Sequence, residues 1–177
     1  MVCSRRRLCA AVATIAVATS GCLDGSNGGT DEAASDDGRT GDPRIDDWEW
    51  SGSLPVTSAV QHHDPSCGCC SVYVEYLESN GLDVTVEETG NLDAIKADRS
   101  IPEDAWSCHT VEIGDYLVEG HVPLEAIETL FETDPDVAGV SAPGMPQHAP
   151  GMGARGDDPL PIYAFDGSGN IDEFVAV

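Results

Sequence analysis

Residues 67–79 have the sequence CGCCSVYVEYLES, and this stretch decides the fold of the chain. Four apolar residues in it recur at helical spacing: Val72, Tyr73, Tyr76 and Leu77. This spacing predicts a helix from about Cys69 to Ser79, and Asn80-Gly81 follows as a stop signal. The stretch therefore predicts a helix with one apolar face and a group of cysteines at its beginning.

Strands and further helices are predicted on both sides of this helix. We expect strands at Leu54–Gln61, Leu82–Glu87, Thr110–Ile113 and Tyr116–Glu119. His62-His63-Asp64-Pro65 is expected to break the first strand, and helices are expected at Asn91–Asp98 and Pro123–Glu132. The order β-α-β-α-β-β-α predicts an α/β fold with a mixed sheet flanked by helices. With thiols at the start of the first helix, this order is typical of the thioredoxin-like fold.

The chain changes character after Val140. Residues 142–152, the Pro-Gly-Met loop, contain two copies of a Pro-Gly-Met unit and cannot form a helix or a central strand. The segments at 161–165 and 171–177 are predicted to pair as a terminal β-hairpin. We therefore expect one domain over residues 54–177 that includes this loop.

The chain is strongly acidic: 32 acidic residues stand against 8 basic ones, for a formal charge of -24. Such a surface repels phosphates, so nucleic acid is excluded as a partner. The acidic residues are spread over the chain rather than massed at one tail, which favours adaptation to high salt. A generally acidic soluble protein is the alternative interpretation.

Residues 1–21 are typical of a targeting segment. Arg5, Arg6 and Arg7 precede a short apolar run at 8–19, as in a twin-arginine export signal. Small residues then lead to Cys22, as in a lipoprotein cleavage site, where this cysteine would be lipidated. We expect residues 22–53 to form an acidic flexible tether. The domain is thus predicted to be exported and anchored to the outer face of the cytoplasmic membrane.

The remaining cysteines indicate a thiol site. Cys67 and Cys70 stand in a Cys-x-x-Cys relation, with Cys69 between them. The backbone N–H groups at a helix start stabilise thiolate, which is both a nucleophile and a ligand for soft metals. Cys108 and His109 precede a predicted strand, in a loop that faces the first helix of a thioredoxin-like arrangement.

Further candidate ligands follow in the second half of the chain. His121 ends a predicted strand, and Met145 and Met152 are the only methionines besides the initiator. Thiolate together with thioether favours Cu(I) or Ag(I), whereas Zn(II) accepts Cys and His but gains little from Met. Of His62 and His63, which would point to opposite faces, at most one could contribute.

Other functions remain open at this point. Cys67 and Cys70 could serve a thiol–disulfide oxidoreductase, with Cys70 as the resolving thiol, although Cys69 invites mispaired disulfides. The cysteines could also form a structural disulfide outside the cell. The acidic surface could bind a cationic partner protein.

Five ordered motifs resemble one known family. They are Pro65–Cys70, Ile101-Pro102, Ser107–Thr110, Glu119–Pro123, and Pro143–Pro146 with Pro150–Met152.

The chain resembles the CopG-like metal-binding family over about residues 54–177. This family is known as a domain of unknown function, number four-eleven, and it often occurs beside copper and silver resistance systems. The resemblance implies an extracytoplasmic, thioredoxin-like metal-binding protein with a copper-handling partner. It assigns candidate ligand roles to Cys67, Cys69, Cys70, Cys108, His109, His121, Met145 and Met152. The chain departs from the family in its acidic surface, its long tether and Gly153.

Overall fold

A mixed sheet of seven strands runs through residues 41–177, the part of the chain that the computed structural model describes. In chain order the strands are β1 Ser58–His63, β2 Asp83–Glu88, β3 His109–Ile113, β4 Tyr116–Glu119, β5 Gly139–Ser141, β6 Pro161–Phe165 and β7 Ile171–Ala176. Across the sheet they lie in the order β2-β1-β3-β4-β5-β6-β7. The pairs β1–β2 and β4–β5 are parallel, and the other neighbours are antiparallel.

The helices of this part of the chain are α1 Pro43–Asp46, α2 Gly68–Ser79, α3 Leu92–Asp98 and α4 Leu124–Thr133. The prediction of an α/β fold with a mixed sheet is confirmed, and elements β1 to α4 follow the predicted order. Its assignment as thioredoxin-like stays a prediction. Over residues 41–177, no helix has the length and apolar character needed to cross a membrane.

Helices α2 and α4 supply much of the core. Tyr73, Tyr76 and Leu77 of α2 are buried, as the helical spacing predicts. The Tyr73 hydroxyl donates to the Val122 carbonyl at 2.7 Å, and the Tyr76 hydroxyl accepts from the Leu124 N–H at 2.9 Å. These two bonds fix α2 against the turn that precedes α4.

The first strand differs from the prediction. It begins at Ser58 and continues through His62 and His63, which were expected to break it. Both histidines lie in a central strand, because β1 pairs with β2 on one side and with β3 on the other. Strand β5 was not predicted, since its three residues are too few to show a pattern.

The folded unit begins before Leu54. Residues 41–53 were assigned to the tether, but Ile45 and Trp48 are buried in the main core. Asp42 caps α1 by accepting from the Arg44 N–H at 3.0 Å. The apolar pair therefore anchors a segment that a purely flexible tether would not contain. The export signal, Cys22 and the tether up to residue 40 lie outside the described residues.

The Pro-Gly-Met loop follows β5 directly. It contains neither helix nor strand, as predicted, and spans part of the connection between β5 and β6. Beyond it, β6 and β7 form the expected antiparallel hairpin. The loop passes close to the start of α2, which is where the predicted thiols lie.

Candidate metal centre

Four cysteines meet at the beginning of α2. Cys67 is the N-cap residue, and Cys69 and Cys70 lie in the first turn. The sulfur atoms of these three and of Cys108 all lie within 4.8 Å of one another. We call these four residues the thiol cluster. It brings Cys108 to the helix start from a distant part of the chain.

Two of the four sulfurs are oxidised in this structure. Cys67 and Cys70 form a disulfide, whereas Cys69 and Cys108 are free thiols. The Cys69 Sγ lies 3.6 Å from the Cys67 Sγ, so a free thiol lies beside the disulfide. The structure therefore represents the oxidised form of the cluster, and only reduction makes all four sulfurs available as ligands.

A second group of donors lies behind the thiols. His109 begins β3 and His121 follows β4, and the Gly120 N–H donates to the His109 carbonyl at 3.0 Å. This pairing holds the two imidazole rings 4.8 Å apart, centroid to centroid. We call His109 and His121 the imidazole pair. One nitrogen of each ring and the Cys108 sulfur lie within 4.8 Å of one another, so Cys108 is close to both groups of donors.

Burial keeps the imidazole pair neutral. It lowers the pKa of His121 to about 4 and that of His109 well below its ordinary value, and the neighbouring His121 lowers the latter further. The His121 Nδ1 lies 2.6 Å from the Pro150 carbonyl oxygen, which can only accept, so Nδ1 carries the proton.

The Nε2 atoms of both histidines lack the hydrogen-bond partners that buried polar atoms ordinarily have. Each is buried and has no hydrogen-bond partner among residues 41–177. For His121 the Nδ1–H tautomer leaves Nε2 with a lone pair. An imidazole that donates one N–H to a carbonyl and presents the other nitrogen bare is the usual arrangement of a metal ligand. These orphaned nitrogens fit a bound metal ion.

Cys108 is a protonated thiol at neutral pH. Burial raises its pKa to about 12, and the nearby Cys69 also raises it. A metal cation at this point would supply the positive charge that stabilises the thiolate, so binding would release a proton. The thiol thus needs a cation before it can be a thiolate.

Tyr73 contacts both rings of the imidazole pair, which the sequence did not predict. Its ring centroid lies 4.7 Å from that of His109 and 5.2 Å from that of His121. Its place on the apolar face of α2 predicts only a core residue, and nothing in the sequence distinguishes it from Tyr76. It closes the side of the imidazole pair that faces α2.

A buried ion pair supports the loop that carries Cys108. Lys96 and Glu119 are almost fully buried and their charged atoms are in contact. Glu119 also accepts from the Ser107 N–H at 3.0 Å, and Thr110 donates to it. The signal for this pair was available, because Lys96 occupies the i+4 position from Leu92 on the apolar face of α3.

Neither His62 nor His63 belongs to the two groups of close donor atoms found among residues 41–177, although His63 lies opposite His109 in the β1–β3 pairing. Met152 packs against the core and Met145 is 45% exposed, while the loop itself reaches His121 through Pro150. Ligand roles for both methionines stay predictions. His62 Nε2 lies 2.7 Å from a Glu112 carboxylate oxygen, and His63 Nδ1 lies 3.0 Å from the Gln61 side-chain amide nitrogen.

The chain is similar to known proteins over most of the described part. Residues 105–152 match the family described as "Protein of unknown function, DUF411". Two solved structures of copper resistance protein copG, Form 1 and Form 2, are each 34% identical to it with a TM-score of 0.62. The matches cover 69% and 70% of this chain and 98% and 99% of those chains. Among curated protein sequences, none matches this chain.

Proposed function

The chain belongs to the CopG-like copper-resistance family, and from this premise we propose that it binds Cu(I) outside the cytoplasm. In this role it would buffer copper, deliver it to a copper-handling partner or confer resistance to it. The proposed ligands are the thiol cluster and the imidazole pair, with Met145 and Met152 as additional thioether donors. Ag(I) and Zn(II) are the alternative ions.

One observation carries the proposal: two groups of close donor atoms share the Cys108 sulfur. Sulfur and neutral imidazole nitrogen are the donors that soft and borderline metals prefer. The two Nε2 atoms without a hydrogen-bond partner support it, because buried polar atoms in proteins ordinarily have such a partner. Hard oxygen-preferring ions such as Ca²⁺ or Mg²⁺ do not suit this set.

Titration of the fully reduced protein with Cu(I) against a competing chelator tests the proposal. We expect the Cys69→Ser, Cys70→Ser double variant to lose affinity about 100-fold, since outer partners of metal ligands alone cost 10–100-fold. Ser71→Ala, an exposed change in the same helix, is the matched control and should bind as the wild type does. Equal binding by the double variant and the wild type would overturn the proposal. Parallel titrations with Ag(I) and Zn(II) establish the preferred ion.

Attachment to the membrane through Cys22 is part of the same proposal. It rests on the twin-arginine pattern and on the small residues that precede this cysteine. In cells fed a labelled lipid precursor, we expect the wild type to be labelled and membrane-bound. Cys22→Ser should remove the label and release the domain. A labelled or membrane-retained variant contradicts this attachment.

The disulfide favours a second candidate function, a thiol–disulfide oxidoreductase that uses Cys67 and Cys70. Both lie at the start of a helix and are already joined in this structure. In this reaction a substrate dithiol would give up two electrons and two protons, and the Cys67–Cys70 disulfide would become two thiols. The test is reduction of a model disulfide by the reduced protein. A rate no faster than that of free thiol at equal concentration would dismiss this function.

A further inference from the structure

The segment before the first strand holds the Pro-Gly-Met loop in place. We define residues 42–50 as the strap. The Gly151 N–H donates to the Arg44 carbonyl at 2.8 Å, and the Trp48 Nε1–H donates to the Gly153 carbonyl at 3.4 Å. The Arg155 guanidinium lies 4.6 Å from the centre of the Trp48 ring, within the range of a cation–π interaction. The strap thus contacts the loop and its continuation at three successive points.

The strap is itself firmly fixed. Trp48 is 1% exposed and Ile45 is 6% exposed, and both belong to the main core cluster. Removing two large apolar side chains from water stabilises their buried positions. These two side chains therefore anchor the strap in the core.

The loop is irregular, and buried Ala142 and Ala149 hold it to the same core cluster. It has no helix or strand, and Gly144, Met145 and Gly151 have positive φ angles. It nevertheless approaches α2 closely: a Cβ added to Gly151 would lie 3.0 Å from the Tyr73 nitrogen and 3.2 Å from the His121 Nδ1. An irregular segment reaches such a position reliably only when other elements hold it there.

We infer that the strap is a positioning element for His121. By holding Gly151, it places the adjacent Pro150 carbonyl against the His121 Nδ1–H and so keeps Nε2 bare for a ligand. Trp48 acts through the loop, by its bond to the Gly153 carbonyl. The expected effect of the strap on Cu(I) affinity rests on the proposed function, whereas its effect on the His121 tautomer does not.

The experiment compares two neighbouring tryptophans in the full chain. Trp48→Ala removes the anchor of the strap, and Trp50→Ala is the control because its Nε1–H bonds Glu128 on α4. The first readout is the ¹⁵N NMR spectrum of His121 in the reduced, metal-free protein. Wild type and Trp50→Ala should show one Nδ1–H tautomer, whereas Trp48→Ala should show a mixture. The second readout is Cu(I) affinity, which should fall about tenfold in Trp48→Ala alone.

Arg155→Gln keeps the experiment informative if Trp48→Ala does not fold. Arg155 is exposed, so this variant should fold and move the tautomer ratio in the same direction by less. A folded Trp48→Ala with the wild-type tautomer would overturn the inference, as would an equal effect of Trp50→Ala. In the absence of a folded Trp48→Ala, an unchanged tautomer in Arg155→Gln would overturn it. If the wild type binds no Cu(I) but the tautomer changes as expected, the proposed function fails and the positioning role stands.

Discussion

Cys108 belongs to the thiol cluster and also lies beside the imidazole pair, but these two regions are built in opposite ways. Three members of the cluster come from four consecutive residues at one helix end, and Cys67 and Cys69 are partly exposed. The imidazole pair comes from the ends of two neighbouring strands, and both rings are completely buried. The first region is therefore within reach of other molecules, as the proposed exchange of metal would require. The second region is closed to solvent, so its geometry would limit which ion fits.

Removal of the Lys96 charge, which lies beneath the buried region, is expected to have the largest effect. Lys96→Met leaves the Glu119 carboxylate buried without its cation, so we expect the free energy of unfolding to fall by about 3–5 kcal/mol. Burial already raises the pKa of Glu119, so ionisation of this carboxyl opposes folding. Without Lys96, which lowers this pKa, ionisation would oppose folding more strongly. The deficit should therefore grow as the pH rises. Urea denaturation of the reduced protein at several pH values measures it.

The matched control for this prediction removes both charges. Lys96→Met with Glu119→Gln leaves a neutral amide that still accepts from the Ser107 N–H, so most of the lost stability should return. If the double variant is as unstable as Lys96→Met alone, the charge is not what stabilises this region. The buried region would then depend on packing alone.

The same contrast explains how much the sequence could predict. The thiol cluster shows directly in residues 67–70, and helical spacing places it at the start of α2, because both patterns are local. The approach of Cys108 and His121 depends on strand pairing between distant residues, so the expected thioredoxin-like order of elements and then the family resemblance, rather than spacing, suggested it. Lys96 and Glu119 were missed because charged residues are ordinarily exposed. Trp48 lies in a polar segment that the sequence predicts to be flexible, and only the fold shows that it is buried.

Loss of the shared sulfur should affect both regions at once. Cys108→Ser is expected to weaken Cu(I) binding by the reduced protein about 100-fold, because the hydroxyl is a poor ligand for a soft ion. Cys67→Ser, which removes a sulfur of the thiol cluster alone, should cost less. Competition with a chelator measures both affinities. A smaller loss for Cys108→Ser than for Cys67→Ser would show that the two regions do not act together.

Moving the Pro-Gly-Met loop should affect the imidazole pair without touching a thiol. In Gly151→Ala the new methyl group would crowd the Tyr73 nitrogen and the His121 ring, so the Pro150 carbonyl must shift. We expect Cu(I) affinity to fall about tenfold, as when the hydrogen-bond partner of a metal ligand is lost.

Gly144→Ala separates this displacement from backbone strain. Gly144 lies in the same loop with a similarly positive φ of 74°, but a Cβ there would have no neighbour within 4 Å. It should therefore keep the affinity of the wild type. Equal losses in both variants would attribute the effect to strain in the loop rather than to the contact with His121.

The smallest effect is expected at His62, although it lies closer in sequence to Cys67–Cys70 than His109 or His121 does. Its Nε2 lies 2.7 Å from a Glu112 carboxylate oxygen and its Nδ1 lies 3.3 Å from a Glu87 carboxylate oxygen. A carboxylate therefore lies beside each ring nitrogen. His62→Gln should therefore change Cu(I) affinity by less than about twofold, or under half a kcal/mol. The competition titration that measures Cys108→Ser also measures this variant. A tenfold loss would mean that the site reaches across β1, and the division into an exposed thiol cluster and a buried imidazole pair would then be wrong.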